Sequence, residues 1–202
     1  MMATRIYVPC DTTALSMGAD DVARLIEHHA GVQGVAIELV RNGSRGLFWL
    51  EPMVEVETAS GRIGYGPVEP DDVQGLVEAG LFDGASDHPL FLGPVADIPY
   101  LKRQQRLTFS RIGITDPLSI TDYRDHGGFD GLETAISVEP QGIVDEVKAS
   151  GLRGRGGAAF PTGIKWQTVH DEPWQQQKYV VCNADEGDSG TFADRLAMEC
   201  DP

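Results

Sequence analysis

Two short stretches hold the residue types that could do chemistry. From Gly151 the chain reads Gly-Leu-Arg-Gly-Arg-Gly-Gly-Ala-Ala-Phe-Pro-Thr-Gly-Ile-Lys-Trp, closing on Lys165 and Trp166. Glycines at this density let a backbone turn tightly and bring its N–H groups close to a flat or anionic ligand. The order Gly-Lys-Ser/Thr of a nucleotide-binding P-loop is absent. The stretch also follows a predicted helix, not the strand that a Gly-x-Gly-x-x-Gly dinucleotide turn requires. The second stretch, Asn183-Ala184-Asp185-Glu186-Gly187-Asp188-Ser189-Gly190-Thr191-Phe192-Ala193-Asp194-Arg195, is predicted to follow a short strand, Lys178–Val181. Ligands of open α/β sheets favour that strand end. Its carboxylates would repel phosphates and suit hydroxyl and ring N–H groups instead. The bland alternatives are a flexible surface loop for the first stretch and a solvated polar turn for the second.

The elements that must position these stretches are readable by periodicity. A strand at Ile6–Val8 leads to a helix at about Ala19–Ala30, where Val22, Leu25, Ile26 and His29 share a face and Gly31 is the expected stop. Val35–Val40 is a second strand and Asn42-Gly43 a turn. Met53–Thr58 and Arg62–Tyr65 form a hairpin, with Val54 and Val56 alternating against Glu55 and Glu57. A helix begins at Pro70, presents Val73, Leu76 and Val77, and stops at Gly80. Sparse periodicity with Pro and Gly from residue 81 onward predicts a linker or extended arm over residues 86–110. Within it, Lys102-Arg103-Gln104-Gln105-Arg106 is a positive patch that could dock a partner or approach a phosphate, a solvated surface being the default. Short helices are expected near Ser119–Tyr123 and Phe129–Ile136. A clearer one, Pro140–Ser150 with Ile143, Val144 and Val147 as its stripe, delivers the chain into the glycine loop.

Composition bounds the function. The 202 residues carry a formal charge of −15, which disfavours nucleic acid and anionic membranes as partners. Neither a signal-like start nor a run long enough to span a membrane is visible, so a cytoplasmic location is expected. Cys10, Cys182 and Cys200 have no Cys-x-x-Cys spacing, and the five histidines are scattered, so no metal centre is expected within this chain.

The order βαβββα at the front resembles a thioredoxin-like ferredoxin domain. Such domains hold a two-iron, two-sulphur cluster on four cysteines, whereas here only Cys10 stands near an expected ligand position, so a cluster-free packing or docking module is expected. The glycine stretch resembles the FMN- and NADH-binding segment of the flavoprotein subunit of respiratory complex I and its soluble relatives. That family reads Gly-Leu-Arg-Gly-Arg-Gly-Gly-Ala-Gly-Phe-Pro-Thr-Gly-x-Lys-Trp; Ala159 replaces one glycine, and Thr168 stands where many relatives have an aromatic. The resemblance implies that Gly154, Arg155, Gly156, Gly157 and Lys165 contact FMN and that Phe160 stacks on the adenine of NAD(H). The acidic stretch resembles the family's Asn-Ala-Asp-Glu segment. By that likeness Asn183, Asp185 and Glu186 are further FMN contacts, and Asp188 lies beside the nicotinamide riboside. Cys182 reads as a small buried residue at a strand end. No catalytic acid, base or nucleophile is implied, because hydride passes directly between nicotinamide and flavin.

The implied architecture is an α/β chain: a thioredoxin-like domain over residues 1–85, the arm, and the start of an FMN- and NAD-binding domain over residues 111–202. In the family the flavin domain continues past this point and a 4Fe-4S domain follows, so a truncated sequence or fragment that binds FMN poorly alone is expected. Arg41–Pro52 and Ile98–Gln104 resemble the beta subunits of soluble, molybdenum-containing NAD-dependent formate dehydrogenases. This implies a molybdenum-containing catalytic subunit and a small 2Fe-2S subunit as partners. The equivalent subunit of an NAD-reducing hydrogenase or of complex I is the near alternative. A non-catalytic docking fragment is the alternative of another class.

Overall fold

The computed structural model describes residues 3–173 and 177–202. The chain divides into two compact units, residues 1–126 with 184–202, and residues 127–183. Each is described by itself.

The first unit is built on a five-stranded sheet of order β2-β1-β3-β4-β5. Strand β1 (Thr4–Tyr7) is followed by a short helix α1 (Thr12–Ser16) and then by α2 (Ala19–Gln33). Asp11 caps α1 by accepting the Thr13 N–H at 3.1 Å. Asp20 and Asp21 sit in the first turn of α2, where they favour the positive end of the helix dipole. Val22, Ala23, Ile26 and Ala30 form its buried stripe. The helix runs past the expected stop at Gly31. It ends where Gly34 takes a left-handed φ of 68° and the Val35 N–H reaches back to the Ala30 carbonyl at 2.9 Å. Gly31 has no neighbour that would force a break, so the residue able to adopt the left-handed turn sets the boundary.

Helix α2 is the crossover that lets β2 (Ile37–Val40) lie parallel to β1. Strand β3 (Val54–Thr58) then pairs antiparallel with both β1 and β4 (Gly61–Tyr65). The β3–β4 hairpin turns at Ala59-Ser60, held by the Thr58 hydroxyl donating to the Gly61 carbonyl at 2.7 Å. A capped 3-10 turn, Pro70–Asp72, starts α3 (Val73–Glu78), whose Val73, Leu76 and Val77 are buried as the spacing predicts. Ile6, Val8, Val22, Ile26, Val54, Val56, Tyr65 and Leu76 share one core. This is a mixed α/β unit with the βαβββα order expected from the sequence.

The segment expected to be an arm is built into the sheet instead. Phe91–Pro94 forms β5 on β4, a 3-10 turn follows at Val95–Asp97, and Pro99–Lys102 forms α4. Val95 and Ile98 are buried. Four strand residues, Gly93 and Pro94 among them, are too few to show a period, and the free edge of β4 gives them partners. Helix α5 (Ile120–Asp125) is capped by the Ser119 hydroxyl, which accepts the Asp122 N–H at 3.2 Å. The front core also shows Glu55 only 1% exposed, where alternation with Val54 and Val56 predicts a solvent-facing carboxylate.

The second unit contains α6 (Asp130–Ile136), α7 (Pro140–Ala149) and α8 (Thr162–Asp171). Helix α8 begins inside the stretch expected to be a loop. It packs on α7 where Gly163 is buried, since a Cβ there would lie 2.8 Å from Lys148 Cα. Gln167 fastens the same seam, accepting from Gln141 Nε2 at 3.0 Å and donating to Gln141 Oε1 at 3.1 Å. The strand expected at Lys178–Val181 does not form: those residues have no ladder partner, and Tyr179, Val180 and Val181 are exposed. Apolar β-branched sequence supplies propensity, but a strand needs a neighbour to receive its N–H and C=O groups. The last helix, α9 (Ala193–Cys200), belongs to the first unit.

Candidate functional site

The glycine stretch is a pinched loop leading into a helix. Arg153 and Pro161 form an antiparallel bridge, with the Gly154 N–H donating to the Phe160 carbonyl at 2.8 Å and the Thr162 N–H to the Leu152 carbonyl at 2.9 Å. Arg153 Nε adds a bond of 2.6 Å to the Ala159 carbonyl. These bonds close the neck and leave residues 155–158 as an exposed tip. A Cβ built on Gly156 or Gly157 would meet nothing within 4 Å, and Gly157 holds a φ of 104° that only glycine adopts readily. Ala159 holds a φ of 50° without being glycine, at the position where the family pattern has glycine. A Cβ in that region costs about 1 kcal/mol.

Lys165 lies one turn into α8, with its ammonium 5.8 Å from the centroid of the half-exposed Phe160 ring. Gly154 is close as well, its Cβ position falling 4.0 Å from Lys165 Nζ. The structure therefore brings together Gly154, Phe160 and Lys165, with Arg155, Gly156 and Gly157 exposed on the tip beside them. The arrangement offers open backbone faces, one ammonium group, one free aromatic face and the N-terminal end of a helix. That donor set fits the phosphate and flat ring of a flavin mononucleotide or a dinucleotide.

The acidic stretch is divided between the two units: Asn183 belongs to the second, and Asp185, Glu186 and Asp188 to the first. Asn183, Asp185 and Asp188 are exposed. Glu186 is already engaged, since its two carboxylate oxygens accept the Asp194 N–H at 2.9 Å and the Arg195 N–H at 3.1 Å, capping α9. Desolvation pushes the Glu186 pKa up, but these backbone donors and the Arg195 charge outweigh it, and the net direction is down. Helix α9 is held to the front unit by Glu199, which accepts the Thr12 N–H at 2.8 Å and the Thr12 hydroxyl at 2.6 Å, and by Arg195, which donates to the Thr13 hydroxyl. The Arg195 guanidinium also lies 5.1 Å from the Phe192 ring and 5.3 Å from that of Phe48. Cys182 is exposed, not buried as expected, and the strand at whose end it was placed does not form. Cys10 is half-buried, its thiol 3.5 Å from the Arg41 carbonyl and pushed up in pKa by burial.

A second charged site was not legible in the sequence. Glu55 is clasped by Arg45, with Nε–Oε1 at 2.5 Å and a second bond of 2.9 Å, and by Arg62 at 3.2 Å. The Gly113 carbonyl receives Arg62 at 2.6 Å and Arg45 at 3.2 Å. Glu51 is 2% exposed, hydrogen-bonded by the Ser44 hydroxyl at 2.5 Å, and burial pushes its pKa up to about 7. The only sequence signal was the pair of arginines flanking acidic strand residues, which surface alternation explains equally well.

Comparison with known proteins bears on the C-terminal part. Residues 147–202 match the family model described as the Nuo51 FMN-binding domain. This segment is thus similar to the FMN-binding flavoproteins of that family. Among curated proteins, the NADP-reducing hydrogenase subunit HndC of Solidesulfovibrio fructosivorans is 50% identical over 101 residues, spanning 50% of this chain and 20% of that protein. An NADH-quinone oxidoreductase subunit of Aquifex aeolicus is 49% identical over 84 residues, 42% of this chain and 19% of that one. The chain thus spans about a fifth of the length of these relatives. Among solved structures, the thioredoxin-like [2Fe-2S] ferredoxin of Aquifex aeolicus is 18% identical, covering 46% of this chain and 99% of that one, with a TM-score of 0.38. An NAD+-reducing [NiFe]-hydrogenase covers 96% of this chain and 31% of that one at 19% identity, also with a TM-score of 0.38.

Proposed function

We propose that this chain is part of a diaphorase-type subunit that passes electrons between NAD(H) and FMN. The observation that carries the reading is the glycine loop, whose open backbone at Gly156 and Gly157 stands beside Lys165 and Phe160 within a segment matching an FMN-binding family model. In this reading Gly154, Arg155, Gly156, Gly157 and Lys165 hold FMN, and Asn183, Asp185 and Glu186 supply further polar contacts. Phe160 and Asp188 serve NAD(H). FMN held there would supply an acceptor for the hydride of the nicotinamide and a means of passing electrons on singly. The chain's own residues bind and orient. Lys165 offsets negative charge, Phe160 offers a face to a base without demanding charge, and the glycine N–H groups donate to whatever lies on the loop tip. The capped α9 fixes Glu186 with its remaining lone pairs available.

Flavin fluorescence titration of the protein tests the division of labour. Lys165→Ala is expected to weaken FMN binding by about tenfold, the worth of one charge-assisted bond. Phe160→Ala is expected to weaken NADH more than FMN; equal loss of both would refute the split.

The finer reading is a beta subunit of formate:NAD+ oxidoreductase, supported by the resemblance of Arg41–Pro52 and Ile98–Gln104. Its partners would be a molybdenum-containing subunit and a small 2Fe-2S subunit, with a 4Fe-4S cluster on a further domain. The relatives named as subunits of NADP- and NAD-reducing hydrogenases favour a second reading, a hydrogenase diaphorase. Formate-dependent against hydrogen-dependent NAD+ reduction by the co-purified complex separates the two. Among the described residues no helix is long and apolar enough to cross a membrane.

A further inference from the structure

We propose that the front unit carries a second anion site, a cationic cavity that takes a small organic phosphate. The cavity, about 630 Å³, opens between the start of β4, the turn after β5, and the segment following α4. That size lies within the usual range of small-molecule sites. Arg45, Arg62, Lys102 and Arg106 line it, and no carboxylate among the described residues does. The chain as a whole has 31 acidic residues against 16 basic ones, so four cations on one wall without an acid is a local reversal of its charge.

The internal partners leave this charge undercompensated. Glu55 is shared between Arg45 and Arg62 and neutralises one of them. The Gly113 carbonyl contributes a dipole, not a charge. Lys102 has Asp97 at 2.8 Å in an exposed pair, which is worth little in water. Among the described residues the acceptors of Arg106 are neutral, the Arg45 carbonyl and the Gln104 amide oxygen, each at 2.7 Å. Burial, and after it the charge of Arg45, lowers the Arg106 pKa, as expected of a guanidinium held near like charge. Partly buried cations without anions cost free energy unless a ligand completes them.

The geometry also defines the ligand. Arg45 and Arg62 are half-buried and fixed, the first by a bidentate grip on Glu55 and the second by stacking 3.4 Å over the Tyr7 ring. Gly113 permits this approach, since a Cβ there would fall 2.5 Å from Arg45 Cγ and its φ is 79°. The internal bonds take Nε and Nη2 of Arg45 and of Arg106 and Nη1 of Arg62, and they hold the guanidinium N–H groups that remain in place to donate to a phosphoryl group. Val95 and Leu101 supply an apolar wall for the body that carries it.

The test is a calorimetric titration of the full chain with phenyl phosphate, with citrate as the carboxylate arm. Saturable phenyl phosphate binding with a Kd below about 1 mM is expected. Arg106→Gln should weaken it about tenfold or more. Lys102→Gln, on an exposed side chain that the core does not need, should weaken it a few-fold. Lys165→Ala should leave it unchanged, because that residue belongs to the glycine loop. The proposal is overturned by absence of saturable binding, by citrate binding in place of phenyl phosphate, or by binding that Lys165→Ala abolishes while Arg106→Gln and Lys102→Gln do not.

Discussion

The two compact units are stabilised in different ways. In the first, sheet, α2 and α3 enclose a continuous core of buried side chains from Ile6 to Phe82. In the second, Val144 is the one buried large aliphatic among the described residues, while Ile136, Ile164, Trp166, Val169, Tyr179 and Val180 are exposed. An apolar cavity of about 1080 Å³ opens beside Ile143, Trp166 and Tyr179. Hydrophobic burial dominates the first, and a single helix seam with side-chain hydrogen bonds holds the second. The unit with the weaker core carries the open glycine loop on which the proposed function rests, and binding segments are commonly placed where packing constrains the chain least.

The sharpest way to break this contrast is to remove equal apolar volume from each side. Ile6→Ala should cost about 2–5 kcal/mol, seen as a lowered midpoint in urea unfolding. Ile164→Ala, on an exposed side chain, should stay within about 0.5 kcal/mol. Comparable losses at both would show that the second unit has a core of its own.

Next in size is the buried carboxyl of the front unit. Glu51 has a folded pKa near 7 against an ordinary 4.5, so between these values the native state binds more protons than the unfolded one. Stability contributed by the protonated form is present at low pH and is lost as pH rises from 4.5 to 7. Glu51→Gln should therefore be more stable than the parent at pH near 8, by up to about 3 kcal/mol, with the advantage gone by pH near 4.5. Unfolding curves at the two pH values check this; an advantage independent of pH would remove ionisation as its cause.

Two smaller changes probe the second unit. Gly163→Ala pushes a Cβ against the Lys148 backbone and should loosen the α7–α8 seam by about 1–3 kcal/mol, read as faster amide exchange along both helices. Ala159→Gly should relieve the left-handed backbone at that position. Part of the gain is offset by the freedom glycine adds to the unfolded chain, so the stabilisation should stay under about 1 kcal/mol. A loss of stability at Ala159→Gly would mean the loop is not strained there.

Much of the fold was legible because burial imposes a period. Val22 and Ile26 mark one helix face, and Val54 and Val56 one strand face, so α2 and the β3–β4 hairpin fall where periodicity puts them. Where the determinant is a partner and not a period, the sequence misleads. Phe91–Pro94 reads as an arm because it is short, yet it completes the sheet; Lys178–Val181 reads as a strand because it is apolar, yet no strand pairs with it. Of the candidate site, the glycine loop and its companions Phe160 and Lys165 were visible as a contiguous motif. The start of α8 inside that motif, and the use of Glu186 as a helix cap, were not.

The sequence alone determined the local chemistry: a glycine-rich loop with a lysine and an aromatic at its exit, an acidic stretch after it, and the order of the front elements. Residue type and short-range spacing, which are properties of the chain, give the loop, the acidic stretch and the βαβββα order of the front; the parallel pairing of β1 with β2 belongs to the structure. Only the tertiary structure decided how charge is arranged in space. Arg45, Glu55 and Arg62 are near one another in sequence, but Gly113 lies 51 residues beyond Arg62 and 68 beyond Arg45, and the cluster closes only because the segment after α4 meets the β3–β4 hairpin; its Coulomb energy depends on distances that no linear pattern contains.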